Sequence, residues 1–257
     1  TMIPIFLTLF AAARASEPEP AQSPAETKSA SSGSTSESDA SQESPIPRMV
    51  ELKLDENVVP ARMINIPLPG KTKTVQDVLD QFEKWSEDKR VGAVMLEVGM
   101  VMLSLPDVQE LRQGIAGLKE ADKKVIAYLN GASPRGYLLA CGADEIAMAP
   151  SSSITLNGIG ALFPFMKGYY QMMGLEFDVI SAGRYKYPGF VNAREPNEFF
   201  LEEYNAILDG WIDDYYEIIA DRADITKDEA KEIVDIALFN AEEAQQRGLV
   251  DALAYQD

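Results

Sequence analysis

From about Met49 onward, apolar positions fall into runs of strand length that alternate with stretches recurring every three or four residues. This pattern predicts strands at Arg62 to Ile66, Gly92 to Val98, Val125 to Leu129, Glu145 to Met148 and Phe177 to Ser181. Helices are expected between them. Thr74 with Asp77 three residues on has the form of a capping box and opens a helix to about Asp88. Pro106-Asp107 opens a second helix to Ala121, Gly136 to Ala143 forms a short helix of small residues, and Phe165 to Met173 forms a further one ended by Gly174. Strand, helix, strand repetition predicts an α/β fold whose largely parallel sheet is covered on both faces.

The last third reads as helical. Phe200, Tyr204, Leu208, Trp211, Tyr215 and Ile219 recur every three or four positions on a segment otherwise rich in Asp and Glu, a stripe suited to core packing or to a subunit contact. Thr226 with Glu229 and Asn240 with Glu243 have capping-box spacing, and Gly248 ends the last helix before a short strand, LVDAL.

Upstream of Met49 the pattern fails. Residues Ile3 to Ala13 are apolar, and Ala13 and Ala15 stand at −3 and −1 before Ser16, as a signal-peptidase site requires. Residues 1–15 are expected to be a signal peptide, and the lack of a preceding Lys or Arg leads us to expect an incomplete N-terminus. Between Ser16 and Arg48 there are ten Ser and five Pro with no aromatic residue. So polar a segment cannot bury enough apolar surface to offset its ordering entropy, and 16–48 is expected to be a disordered linker before a domain over 49–257. Such an arrangement suits an exported domain held near a membrane.

Composition narrows the chemistry. The chain of 257 residues has no histidine, which excludes a Ser-His-Asp triad, a Cys-His dyad and any His-ligated zinc. Its single cysteine, Cys141, excludes an internal disulfide. With Lys+Arg 23 against Asp+Glu 41 the formal net charge is −18, which repels phosphate backbones and argues against nucleic acid as a partner.

Without histidine, a base acting near neutral pH has to come from another group, and a desolvated lysine is one. Bringing a lysine from about 10.4 to about 7.5 takes roughly 4 kcal/mol of differential destabilisation. Lys186, in AGRYKYPGF after the segment EFDVIS, is the candidate, with the solvated loop lysine as the alternative. Ser133, at the turn from VIAYL into the small-residue helix, suits either a nucleophile facing a helix N-terminus or a plain N-cap. Asn157-Gly-Ile-Gly160 lacks the third glycine of a dinucleotide loop and reads as a close turn.

The blocks KVIAY, GYLLACGADEIAMAP, LNGIGAL, GLEFDVISAGRYKYPG and FNAEEAQQRGLVDAL, in this order from about Met63 to the end, resemble peptidase family S49. The resemblance implies a ClpP/crotonase-like fold, no cofactor, and a Ser/Lys peptidase acting on cleaved signal peptides. By resemblance Lys186 is the general base, in a Tyr-Lys-Ser context where Tyr187 replaces the serine. The family's nucleophile lies in Ala-Ser-Gly-Gly-Tyr. Aligned on Tyr137, that position is Pro134, and Ser133 stands one residue early. The Gly-Gly pair that supplies oxyanion donors is absent from VGMVMLSLPDV.

Long members of the family are tandem repeats whose first repeat keeps the lysine and lacks the serine. The resemblance therefore implies a lysine-donating half that partners a serine-bearing repeat or protomer, either as part of a longer chain or as a separate subunit. A noncatalytic interaction protein with the same fold is the alternative.

Overall fold

The structure, a computed structural model, describes residues 47–60, 72–186 and 189–256. The expected strand at Arg62 to Ile66, the signal peptide, nearly all of the linker, and Tyr187 lie outside the described residues.

Five strands form the central sheet: β1 (Arg48–Leu54), β4 (Val91–Val98), β5 (Lys124–Leu129), β6 (Glu145–Met148) and β9 (Ala252–Leu253). They lie in the order β1-β4-β5-β6-β9, every pair parallel. Parallel neighbours require crossovers, and helices supply them. Thr74 caps α1 (Val75–Glu87) in a full capping box with Asp77, and the helix buries Val75, Val78 and Phe82. Ser104 and Asp107 form the same box at α2 (Leu105–Glu120), whose buried side chains, Val108, Leu111, Ile115 and Leu118, follow helical spacing. The two helices pack so closely that a Cβ on Gly114 would stand 2.8 Å from Leu79 Cδ2. In β4, Val94, Leu96 and Val98 are fully buried, and Met95 on the opposite face joins Tyr128 and Ala149 in a smaller cluster. This interior strand is buried along one face and at Met95 on the other, which explains its nearly unbroken apolar run.

The C-terminal part is helical, as expected. Asn197 caps α6 (Glu198–Ala223), and Asp224 ends it in the left-handed region at φ 54. Next come α7 (Lys227–Ile236), β8 (Leu238–Asn240) and α8 (Ala241–Gln246), with the expected capping boxes at Thr226 and Asn240 both formed. Arg222 of α6 pairs with Asp251, whose carboxylate accepts the Ile146 N–H at 2.6 Å and so ties β6 to the chain before β9. β8 pairs antiparallel with β7 (Ser153–Thr155) beside the main sheet. Two short strands, β2 (Val58–Val59) and β3 (Lys73–Thr74), pair in parallel ahead of α1.

One expected strand does not form. Phe177 to Ser181 has no regular structure, Ile180 is 96% exposed, and no strand among the described residues lies beside it. An apolar run makes a strand only where a neighbour completes its hydrogen-bond ladder. The short helix over 167–172, α4 (Lys167–Met172), has no buried residue and is followed by Gly174 with φ 70.

Candidate active site

Ser133 follows an element whose sequence sets its position, whereas Lys186 follows the irregular segment 175–182. β5 leads through Gly131, at φ 82, to Ser133, the N-cap of α3 (Pro134–Ala140). Pro134 takes the first helical position, where the missing N–H costs nothing and the fixed φ suits the helix. Behind it, Gly136 is pressed against the chain leaving β4: a Cβ there would stand 2.5 Å from the Gly99 carbonyl oxygen. Tyr137 is fully buried and donates its phenol hydrogen to the Leu249 carbonyl at 2.8 Å.

The Ser133 hydroxyl is engaged on both sides. Its oxygen accepts from the Gly136 N–H at 3.2 Å and from the Val101 N–H at 3.3 Å, and it donates to the Val101 carbonyl at 3.4 Å. The serine therefore caps α3 and pins the loop after β4 to it. The helix starts at Pro134, two residues before the expected Gly136, because the cap lies at Ser133. In the pinned loop Val101 and Leu103 are buried, while Met100 and Met102 are 59% and 71% exposed. This segment stands where the family's Gly-Gly donors were sought, and its Val101 amide is already committed to Ser133.

Lys186 is placed elsewhere, on the exposed turn 183–186. Gly183 takes φ 102, and its carbonyl accepts the Lys186 N–H at 3.2 Å. The turn rests on the first turn of α6: the Arg184 guanidinium lies 5.4 Å from the Phe199 ring centre, and Tyr185 meets the same ring edge-on at 5.8 Å. No hydrogen bond or ion pair of the Lys186 ammonium is formed among the described residues, and none joins it to Ser133. The described residues also contain no group of His, Cys, Asp and Glu able to hold a metal ion. The double engagement of Ser133 by Val101 was not legible in the sequence, since it joins residues 32 positions apart.

Comparison with known proteins gives this arrangement its class. The model of peptidase family S49 matches residues 117–257, more than half of the chain and a span that includes α3, Ser133 and Lys186. The chain belongs to peptidase family S49. Its parallel sheet with flanking helices is the arrangement expected of that family. It is 23% identical over 179 residues to the chloroplastic serine protease SPPA of Arabidopsis thaliana, covering 69% of this chain and 26% of that protein. It is 26% identical over 199 residues to Protease 4 of Haemophilus influenzae, covering 71% of this chain and 31% of that one. The chain spans between 26% and 62% of the length of the curated relatives it matches. Among solved structures, a mutant of the 1510-N membrane-bound stomatin-specific protease superposes with a TM-score of 0.48 at 16% identity, covering 81% of this chain and 79% of that one.

Proposed function

We propose that this chain is the lysine-donating half of an exported Ser/Lys peptidase, with Lys186 as the general base for a serine carried by another S49 repeat or protomer. The observation that carries this reading is the division at the two candidate positions. Ser133 is spent on capping α3 and holding Val101, and Pro134 stands where the family resemblance puts the serine, whereas Lys186 stands exposed, with no partner for its ammonium among the described residues, on a turn braced by α6. A lysine in water holds its proton near neutrality, so the base form requires a partner that encloses it. Its substrates are apolar peptides such as cleaved signal peptides. The N-terminal residues keep the domain outside the cytoplasm and near a membrane.

The test is an assay of hydrophobic fluorogenic peptides by the purified chain, alone and mixed with a serine-bearing S49 domain. Turnover is expected only in the mixture. Activity of the chain alone that disappears in Ser133→Ala would make Ser133 the nucleophile and overturn the division of labour. A stable mixed complex with no turnover favours the noncatalytic interaction protein, a reading the full engagement of the Ser133 hydroxyl also permits.

A further inference from the structure

The run Leu175-Glu-Phe-Asp-Val-Ile-Ser181 has the composition of a strand but no neighbouring strand among the described residues. The backbone groups of residues 176–182 make no hydrogen bond there either. One side of the run is anchored: Phe177 meets Tyr170 of α4 edge-on at 4.7 Å, and the Leu175 N–H donates to the Tyr170 carbonyl at 2.9 Å. Val179 is half-buried, whereas the next side chain, Ile180, is 96% exposed. Open backbone groups beside an exposed apolar side chain are a template for a further strand.

The charges along the segment select the strand that fits. Glu176 and Asp178 lie at its start, and Arg184 and Lys186 follow its end. Neither acid is ion-paired among the described residues. A second copy laid antiparallel brings the acids of each chain towards the bases of the other, while a parallel copy sets like charges side by side. Antiparallel pairing of a segment with itself is also what a twofold axis produces, because an isologous contact uses the same patch on both subunits. The net charge of −18 opposes association at long range, but physiological salt screens it beyond about 8 Å, and cross-strand neighbours stand about 5 Å apart.

We infer that two copies of this chain pair antiparallel through residues 176–182, about a twofold axis at Ile180. In that register Ile180 faces Ile180 of the other copy, and Glu176 stands across from Arg184. The pairing supplies the hydrogen-bond ladder that the lone chain lacks and takes Ile180 out of water. Interfaces below about 1,200 Å² are weak, so a contact of this size gives a dimer in the micromolar range. It uses neither Ser133 nor the Lys186 ammonium, and it holds or fails whether or not the chain donates a lysine to a peptidase.

The experiment follows the full chain by sedimentation velocity across the micromolar range, where a monomer–dimer equilibrium is expected. Ile180→Asp sets two carboxylates against each other and should weaken the dimer several-fold without moving the urea midpoint, since the side chain packs on nothing in its own chain. Glu176→Arg and Arg184→Glu should each weaken it as well, and the chain carrying both should recover it. Ile180→Cys should oxidise to a linked dimer faster than Met102→Cys, an exposed control on the loop after β4, while burial pushes the native Cys141 thiol up to about 12 and keeps it out of the reaction. A chain that stays monomeric, a dimer indifferent to Ile180→Asp, a double charge variant no better than its singles, or equal crosslinking of the two cysteine variants would overturn the pairing. So would protection of the 176–182 amides from exchange that does not depend on protein concentration, because another part of the same chain would then be covering the segment.

Discussion

The Ser133 hydroxyl and the Val101 backbone are bonded in both directions, N–H to oxygen at 3.3 Å and hydroxyl to carbonyl at 3.4 Å. One side chain thus closes the N-terminus of α3 and fastens the loop that leaves β4. Replacing it with alanine removes a cap and strands the buried Val101 amide together. Caps of this kind are worth about 0.5–2 kcal/mol, and we expect Ser133→Ala to lose about 2 kcal/mol in urea denaturation. Ser133→Asp, which keeps an acceptor for the Gly136 N–H, should recover part of the loss. Equal stability of alanine variant and parent would show that the serine is not structural.

Gly136 sits under stricter geometry. With the Gly99 carbonyl 2.5 Å from where its Cβ would be, Gly136→Ala cannot be accommodated by a side-chain rotation, because the obstruction is backbone. Overpacking of this type costs about 1–3 kcal/mol. The expected result is a lowered denaturation midpoint with increased amide exchange at Val101 and Gly99, since those residues have to move away. Gly117, where a Cβ meets nothing within 4 Å, is the control, and its alanine variant should be neutral or slightly stabilising.

Much of this fold is legible in the sequence, and the failures have physical causes. β4, β5 and β6 are apolar runs of readable length, and the expected boundaries fall within one residue of those observed. The boxes at Thr74, Thr226 and Asn240 are read correctly because a cap is a local interaction over three residues. β7 and β8 escape because three residues show no period, and they exist through pairing of Ile154 with Phe239, 85 positions apart. β1 escapes as an edge strand that buries only Leu52 and Leu54 fully, so its signal is half that of a central strand. Phe177 to Ser181 fails the opposite way, an apolar segment with no neighbouring strand among the described residues to pair with. At the site, the lysine turn and the helix cap were both visible, but only the structure shows that the cap consumes the serine.

Asp88 gives the domain an acid-sensitive joint. Its carboxylate accepts from the Arg90 guanidinium at 2.9 and 3.0 Å and from the Arg90 N–H at 2.9 Å, with Arg48 of β1 at 3.4 Å. The Arg90 side-chain bonds first, then its backbone N–H, hold the carboxyl down at about 2. A depressed acid stabilises the folded state above its unfolded value near 3.9, and that contribution is lost as pH falls from about 5 through about 2. Asp88→Asn should therefore be less stable than the parent at pH 6, and the difference should shrink steadily towards pH 2. Urea midpoints of both proteins across that range are the measurement, and a gap independent of pH would reject the linkage.

Lys186 separates the two readings of this chain. On the free domain it is exposed on its turn. If the chain is the lysine-donating half, then in a complex with a serine-bearing S49 domain the partner should supply the enclosure, and the lysine should take the serine proton as the serine attacks the peptide carbonyl. Lys186→Ala should leave assembly intact, because an enclosed lysine is a poor source of stability, and should lower turnover by about a thousandfold or more, as loss of a base coupled to its nucleophile does. Lys186→Arg should be nearly as damaging, since a guanidinium keeps its proton. The pH-rate profile of the complex should show an acid limb that reports this group and is missing from the residual activity of both variants. Assembly measured by sedimentation distinguishes lost chemistry from lost contact. Turnover that survives Lys186→Arg unchanged would remove the base role and leave the domain as an interaction partner.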